Sequence, residues 1–335
     1  MNTHSSRASH VHAAPPPVSL RPDGNCPLAA LRIVFSAHLA IYVRMTTTTN
    51  TIPFVKMNGL GNDFVVVDGR SAPVRIEAEE ARHLADRSSG IGCDQVIVLE
   101  PSRYADVKMR ILNADGSEVG ACGNATRCVA WLLSEETGAR QVSIDTDAGE
   151  LEANVVNIDR ITVDMGRPRF GWQDIPLAEQ FHDTRAIELQ VGPIDDPVLH
   201  SPSVVNVGNP HAVFWVDSVD AVDLGRVGPL LENHPIFPER ANISIAEVLS
   251  RTHLKIRTWE RGAGLTRACG TAACAAAVTA MRKKLVDRNT EVTVTLPGGV
   301  LVISWTDNDH ILMTGPAETE FRGALSRDGL RPVPA

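Results

Sequence analysis

Two cysteines stand in near-copies of one phrase, 147 residues apart: Ala121-Cys122-Gly123-Asn124-Ala125 and Ala268-Cys269-Gly270-Thr271-Ala272. Each phrase leads into an alanine-rich stretch suited to a helix, so each cysteine is expected at a helix start. There it faces unpaired backbone N–H groups and the positive end of the helix dipole. Such a setting favours the thiolate and is expected to lower the thiol pKa. One such cysteine suggests a nucleophile. Two in duplicated settings suggest a matched pair, one thiol taking a proton and the other giving one. An isolated Ala-Cys-Gly phrase carries little weight, because free cysteines are commonly small buried residues. The duplication changes the reading.

The elements around the two phrases repeat in order. In the first half, strands are expected at 52–57 and 64–68 around the turn Asn58-Gly59-Leu60-Gly61-Asn62, then a helix over 77–87 with Ala81, Leu84 and Ala85 on one face. Strands follow at 95–100 and 106–113, then the cysteine-led helix over 123–136, ended by Gly138, then strands at 141–146, 150–156 and 160–164. In the second half the series is strands at 204–207 and 212–217, a helix at 224–233, strands at 242–249 and 254–259, a cysteine-led helix at 270–284, and strands at 291–296, 300–305 and 310–313. This is an internal repeat of domain size. Two like α/β (α+β) domains facing each other would bring both cysteine helices to one cleft. The divisions expected are an N-terminal extension (1–50), a first domain with Cys122 (51–166), a second with Cys269 (167–315), and a C-terminal segment (316–335) able to return to the first domain. The proline-rich stretch 166–202 is expected to contain the linker.

A formal net charge of −8 argues against nucleic acid or an anionic membrane as a main partner. The six cysteines (Cys26, Cys93, Cys122, Cys128, Cys269, Cys274) are too few for a disulfide scaffold, and none forms a C-x-x-C pair. No metal site is expected, and Cys93, Cys128 and Cys274 read as buried small residues. Reduced thiols in a cytoplasmic protein fit best. The first 44 residues are rich in Ala, Ser, Pro and Arg, with Asp23 their one acidic residue. An upstream start codon with Met45 as the true start, a disordered tail and an organelle transit peptide all remain open for them. The apolar run 28–43 is short for a membrane span and contains Arg32 and His38.

Polar residues gather before both cysteines: Asn113-Ala114-Asp115-Gly116-Ser117-Glu118 in one half and Glu260-Arg261-Gly262-Ala263-Gly264 in the other. With these, and with Met57 through Phe64, Gly90-Ile91-Gly92-Cys93-Asp94-Gln95, Asn113 through Cys128, Gly208-Asn209-Pro210-His211, Phe237 through Asn242 and Glu260 through Ala273, the chain resembles the diaminopimelate epimerase family over about residues 52–326. The resemblance implies two similar domains, each a curled, mostly antiparallel sheet around a central helix. It implies a cofactor-independent epimerase that converts LL-2,6-diaminopimelate to the meso form in lysine and peptidoglycan precursor biosynthesis, acting as a cytoplasmic homodimer on a small-molecule substrate. Cys122 and Cys269 match the acid–base pair, and His211 and Glu260 match residues that tune the two thiols. The backbone N–H groups of Gly123, Asn124, Gly270 and Thr271 match those that hold the reacting carboxylate. Asn62, Gln95, Asn113, Asn209, Asn242 and Arg261, with Glu260, match the substrate-binding set. Asn58 stands where many members have His, a minor departure.

An amino-acid Cα–H is a very weak acid, so the charge that builds on its carboxylate needs preorganised donors, which two helix N-termini supply. Three alternatives compete. Another two-cysteine racemase, such as one for proline, would leave the Asn/Arg set idle. A thiol redox sensor explains the cysteines but not the His, Glu, Asn and Arg around them. A non-catalytic binding module has no use for both thiols.

Overall fold

The computed structural model describes residues 51–333; the expectations made for residues 1–50, Cys26 included, lie outside the described residues. The first half runs β1 (Thr51–Gly59), β2 (Asn62–Asp68), α1 (Ala78–Ala85), β3 (Gln95–Glu100), β4 (Val107–Asn113), β5 (Glu118–Val119), α2 (Gly123–Thr137), β6 (Gln141–Thr146), β7 (Gly149–Asn157) and β8 (Arg160–Asp164). A two-residue hairpin, β9 (Gln190–Val191) and β10 (Leu199–His200), precedes the second half. That half runs β11 (Ser203–Asn206), β12 (Pro210–Trp215), α3 (Leu224–Glu232), β13 (Asn242–Ser250), β14 (His253–Glu260), β15 (Gly264–Leu265), α4 (Gly270–Arg282), β16 (Val292–Leu296), β17 (Gly299–Trp305) and β18 (Ile311–Gly315), and the chain closes with β19 (Glu318–Ser326) and β20 (Pro332–Val333).

The repeat extends to strand pairing. From β1 the successive pairings β1–β2, β2–β3, β3–β4, β4–β6, β6–β7 and β7–β8 run antiparallel, parallel, antiparallel, parallel, antiparallel, antiparallel. From β11 the series β11–β12, β12–β13, β13–β14, β14–β16, β16–β17 and β17–β18 has the same six senses. The helices α1 and α3 make the crossovers β2-α1-β3 and β12-α3-β13, which parallel neighbours require. Buried runs mark those strands: residues 63–67 of β2 and 96–99 of β3 are covered on both faces.

Each half curls around its cysteine helix. In α4 eleven of thirteen residues are buried, so the helix is apolar all round rather than amphipathic. Its alanines let strands β11–β14 and β16–β18 approach it from every side. In the same way α2 touches β1, β2 and β6–β8, and it ends at Gly138, whose φ of 75° suits glycine. One core joins the two helices, and separate cores lie under α1 and α3.

Among the described residues, eighteen strands form one continuous sheet. The halves are stitched where β18 pairs antiparallel with β8, from Leu312 opposite Asp164 to Gly315 opposite Ile161. The strand β19 returns to pair with β1, Thr51 opposite Ser326 through Asn58 opposite Glu318. No strand was expected at 318–326. Its run ETEFRGALS buries only Leu325, so it lacks the apolar alternation that marks a half-buried strand. The stretch 166–202, expected to contain the linker, also carries core residues. Ile175, Leu177, Ile187, Leu189 and Leu199 are buried in the core under α3, at spacings that match neither helix nor strand.

Candidate active site

Cys122 and Cys269 are the N-cap residues of α2 and α4, both with extended backbone, and each helix opens on a glycine. The fully buried Met313 of β18 sits against both openings. A Cβ on Gly123 would lie 2.7 Å from its Cε, and a Cβ on Gly270 would lie 2.8 Å from its Sδ. Any larger residue at these positions would push the methionine or the helix away. The same Gly270 position is 3.5 Å from Asn124 Oδ1, so the two helix starts face each other across one thioether.

On the first-half side, Asn62 Oδ1 accepts from Cys122 Sγ (3.8 Å) and from Asn124 Nδ2 (3.3 Å), and Asn62 Nδ2 donates to Asp94 Oδ2 (3.0 Å). Asp94 is held in turn by the Asp63 amide and the Arg87 guanidinium. Asp63 ties Arg87 to the buried Lys56. Burial pushes the Asp63 carboxyl up, but the bonds from Arg87 and Lys56 win and hold it well below the usual carboxylate range. A rigid ionic cluster therefore fixes which face of the Asn62 amide meets the thiol. Beside it, Gln95 Nε2 donates to Asn113 Oδ1 (2.9 Å), and Asn113 Nδ2 donates to Ser117 Oγ.

On the second-half side, Glu260 accepts from the Thr266 hydroxyl and from the Cys269 thiol. Thr271 Oγ1 lies 3.4 Å from Cys269 Sγ. His211 is fully buried, with Nε2 2.8 Å from Asn209 Oδ1 and 3.5 Å from Asn242 Nδ2. Asn209 Oδ1 can only accept, so the proton belongs on Nε2, and Nδ1 is left buried without a partner. Burial, helped by the Arg261 charge, pulls His211 down to about 3, so its ring is neutral near pH 7. Asn242 Oδ1 accepts from the Arg261 amide (2.9 Å), and Arg261 Nη1 donates to Glu239 O (2.9 Å). The buried Glu232 carboxylate supports this loop by accepting from Gly262 N, Trp259 Nε1 and Arg240.

The expectation that the helix starts lower both thiol pKa values is corrected. Burial pushes the Cys122 thiol up, and the amides of Ala125 and Asn124 with the Arg127 charge only partly offset it, while Glu260 adds to the rise. Burial and then the Glu260 charge push Cys269 well above its ordinary value, against the Thr271 hydroxyl and the Ala272 amide. Removing a thiolate from water costs more here than a few aligned N–H groups return. Burial also raises the Glu260 carboxyl.

Two clusters thus stand out. One gathers Cys122, Asn62, Asn124, Gln95 and Asn113 from the first half. The other gathers Cys269, Thr271, Glu260, His211, Asn209, Asn242 and Arg261 from the second. They are linked by the contact between Gly270 and Asn124 and by the Glu260 charge felt at Cys122. Sequence reasoning singled out neither Met313, Asp94, Arg87, Glu232 nor Thr266. Asp94 and Thr266 sat inside matched stretches, 90–95 and 260–273, which was the one available signal. Among the described residues no group of three or more His, Cys, Asp or Glu side chains could hold a metal ion, and no helix is long and apolar enough to cross a membrane.

The diaminopimelate epimerase family model matches residues 54–171 and 203–320, one block in each half. Diaminopimelate epimerase of Afipia carboxidovorans is 57% identical over 279 residues, covering 82% of this chain and 95% of the relative. That of Brucella anthropi is 58% identical over 275 residues, covering 81% and 91%. Among solved structures, a hydroxyproline epimerase from Agrobacterium vitis superposes with a TM-score of 0.59 at 16% identity, covering 84% of this chain and 94% of its own. A phenazine biosynthesis protein of the PhzF family from Bacillus anthracis gives 0.58 at 19% identity, covering 82% and 99%. At these identities the structural likeness speaks for the fold alone.

Proposed function

Because the chain belongs to the diaminopimelate epimerase family, it is an epimerase of 2,6-diaminopimelate, and we propose that it works with Cys122 and Cys269 as its acid–base pair. The reaction interconverts the LL and meso forms, a step of lysine and peptidoglycan precursor biosynthesis. The observation that carries the two-thiol reading is the meeting of two cysteine-capped helix starts across Met313.

One thiolate removes the Cα proton, and the electron pair moves into the carboxylate. The amides of Gly123, Asn124, Gly270 and Thr271 stabilise that charge at the helix N-termini. The other thiol delivers its proton to the opposite face, so one sulfur gains the proton that the other loses. The two cysteines exchange protonation states in each turnover and exchange roles with direction. Burial and Glu260 hold Cys269 protonated, which suits a donor, and neutral His211 adds no positive charge that would favour its thiolate. Asn62, Gln95, Asn113, Asn209, Asn242 and Arg261 bind the second ammonium–carboxylate centre, with Arg261 as the carboxylate fork. Each domain, 51–166 and 167–315, contributes one thiol. The enzyme works without pyridoxal phosphate, as a homodimer in the cytoplasm.

The test follows LL-diaminopimelate in D2O with no added cofactor. Deuterium entering the inverted Cα during conversion to the meso form is expected, as is loss of conversion in Cys122→Ser and Cys269→Ser. Conversion that persists in either variant would remove that thiol from the mechanism. Faster inversion of an amino acid with no distal ammonium–carboxylate would favour the rival racemase.

A further inference from the structure

Arg127, five residues after Cys122 on α2, is wholly buried, with 0% exposure, the largest fully buried side chain among the described residues. Its guanidinium lies in the seam between the two halves. Nε donates to Pro316 O (3.0 Å), and Nη1 approaches Met313 Sδ (3.8 Å). Nη2 has no partner. Gly59 at the end of β1 and Gly315 at the end of β18 wall the slot: Cβ atoms there would lie 3.4 Å from Nη2 and 3.2 Å from Nε. The same Gly59 position is 3.2 Å from Asn124 Cβ, and the Asn124 amide shares Asn62 Oδ1 with the Cys122 thiol. Among the described residues, no carboxylate stands within ion-pair distance of Arg127. A buried cation without an anion is costly to keep. The groups around it able to become anions are thiols: Cys128 and Cys122 on its own helix, and Cys274 on α4.

We propose that Arg127 is a positioning residue that serves as the internal counter-ion of Cys122, so that this thiol, and not Cys269, is the one prepared to carry negative charge in the empty site. The proposal rests on the two-thiol reading of the site. The charged and titratable groups facing Cys122 include Arg127 from its own helix, which favours the thiolate, Glu260 from β14, which opposes it, and the Cys128 thiol on the same helix. At Cys269 the strongest charged influence is Glu260, which opposes the thiolate, and the groups that favour it most are the Thr271 hydroxyl and the Ala272 amide. Counted from the capping cysteine, the place that Arg127 holds on the first helix is held by Cys274 on the second: Cys269 is followed by Gly270, Thr271, Ala272, Ala273 and Cys274. The fold therefore supplies two equivalent thiols, and one arginine makes them unequal. Cys128 and Cys274 feel the same cation, but burial outweighs it and pushes both up to about 12.

The test is the rate of Cys122 alkylation by iodoacetamide against pH in the ligand-free full chain, read by peptide mass. It compares the unaltered protein with Arg127→Gln, which keeps an N–H for Pro316 O, and Arg127→Lys, which keeps the charge. In Arg127→Gln the Cys122 profile is expected to move up by about one pH unit, a tenfold slower reaction on its acid limb, with a smaller move at Cys269. In Arg127→Lys it stays within a few tenths of a unit even where Tm falls. An unmoved Cys122 profile in folded Arg127→Gln would reduce Arg127 to a packing clamp and overturn the proposal. If Arg127→Gln does not fold, Arg127→Lys decides alone: an unmoved profile supports the counter-ion, and a profile raised by a full unit with the charge retained overturns it. The readout needs no turnover. Loss of the two-thiol mechanism would appear instead as an active Cys122→Ser enzyme, whatever the alkylation profiles do.

Discussion

At α2 the half-buried Cys122 points its thiol at Asn62, and its helix carries a buried arginine. At α4 Cys269, only 5% exposed, lies against the Glu260 carboxylate and the Thr271 hydroxyl. The backbone is the same in both places: extended N-cap, glycine next, a buried helix, one enclosing curl of strands. Geometry is thus duplicated while electrostatics is not. A reaction that takes a proton on one face and returns one on the other needs like positions and unlike acidities, and duplication followed by divergence of a few side chains gives both. The test with the largest effect breaks the equivalence outright. Cys122→Ser or Cys269→Ser should each lower kcat by about 10³-fold or more, because a hydroxyl is far too weak an acid to replace the thiol. Circular dichroism should be unchanged. A loss confined to one variant would show that one thiol suffices.

Next comes the shared wedge. Gly123→Ala and Gly270→Ala both drive a methyl into Met313, to 2.7 Å and 2.8 Å. Each should separate the helix starts by a fraction of an ångström and cost about 10²-fold in kcat, since small misplacements near the reacting atoms are expensive. Similar losses in the two variants are expected. A silent Gly123→Ala beside a dead Gly270→Ala would mean that only one helix start holds the carboxylate.

Removing the Glu260 charge sharpens the asymmetry. Because that carboxylate raises Cys269, Glu260→Gln should lower the pKa of this thiol and move the basic limb of kcat/KM to lower pH by about one unit. An unmoved limb would place the titrating group elsewhere. Arg261→Lys should have a smaller effect, about tenfold in kcat/KM for LL-diaminopimelate and little for an analogue lacking the distal carboxylate, because an ammonium cannot reproduce the planar fork. Equal losses on both substrates would assign Arg261 to the scaffold through its bond to Glu239.

Much of this was legible in the chain, for identifiable reasons. The helix α4 announces itself by GTAACAAAVTAMR, and β4 by its alternation of Val107, Met109 and Ile111 with Lys108 and Arg110. The Asn, Gln, His and Glu positions came through matched motifs, not through periodicity. What stayed hidden depends on contacts between residues far apart in sequence. Met313 reads as one more apolar residue of a strand, and only tertiary packing sets it between two helices 147 residues apart. Arg127 reads as the polar face of a helix, yet it is buried because the second half covers that face. The Lys56–Asp63–Arg87–Asp94 cluster spans three elements and has no spacing to recognise. The strand β19 takes its stability from β1 more than from a buried face of its own, so pairing left no pattern in its sequence.

The smallest effect concerns stability, and it asks whether the two helices are equally well enclosed. Burial pushes Cys128 on α2 and Cys274 on α4 up to about 12. Their folded pKa values lie above the unfolded value near 9, so each contributes stability that is complete below about pH 9 and is lost as pH rises from 9 toward 12, because the unfolded chain releases the thiol proton first. Cys93, behind β2 and under α1, is raised to about 12 as well and adds to the same loss. The Tm should therefore fall progressively above pH 9. Cys128→Ala and Cys274→Ala should each start slightly less stable at pH 7, from the lost sulfur contacts, and then fall less steeply, by a few degrees over the alkaline range. Matching slopes in the two variants would mean that both curls exclude water equally. A flattened slope for Cys274→Ala with none for Cys128→Ala would show that α2, open at its half-buried Cys122 end, admits solvent along its length while α4 does not, and the electrostatic difference between the two thiols would then owe as much to hydration as to Arg127.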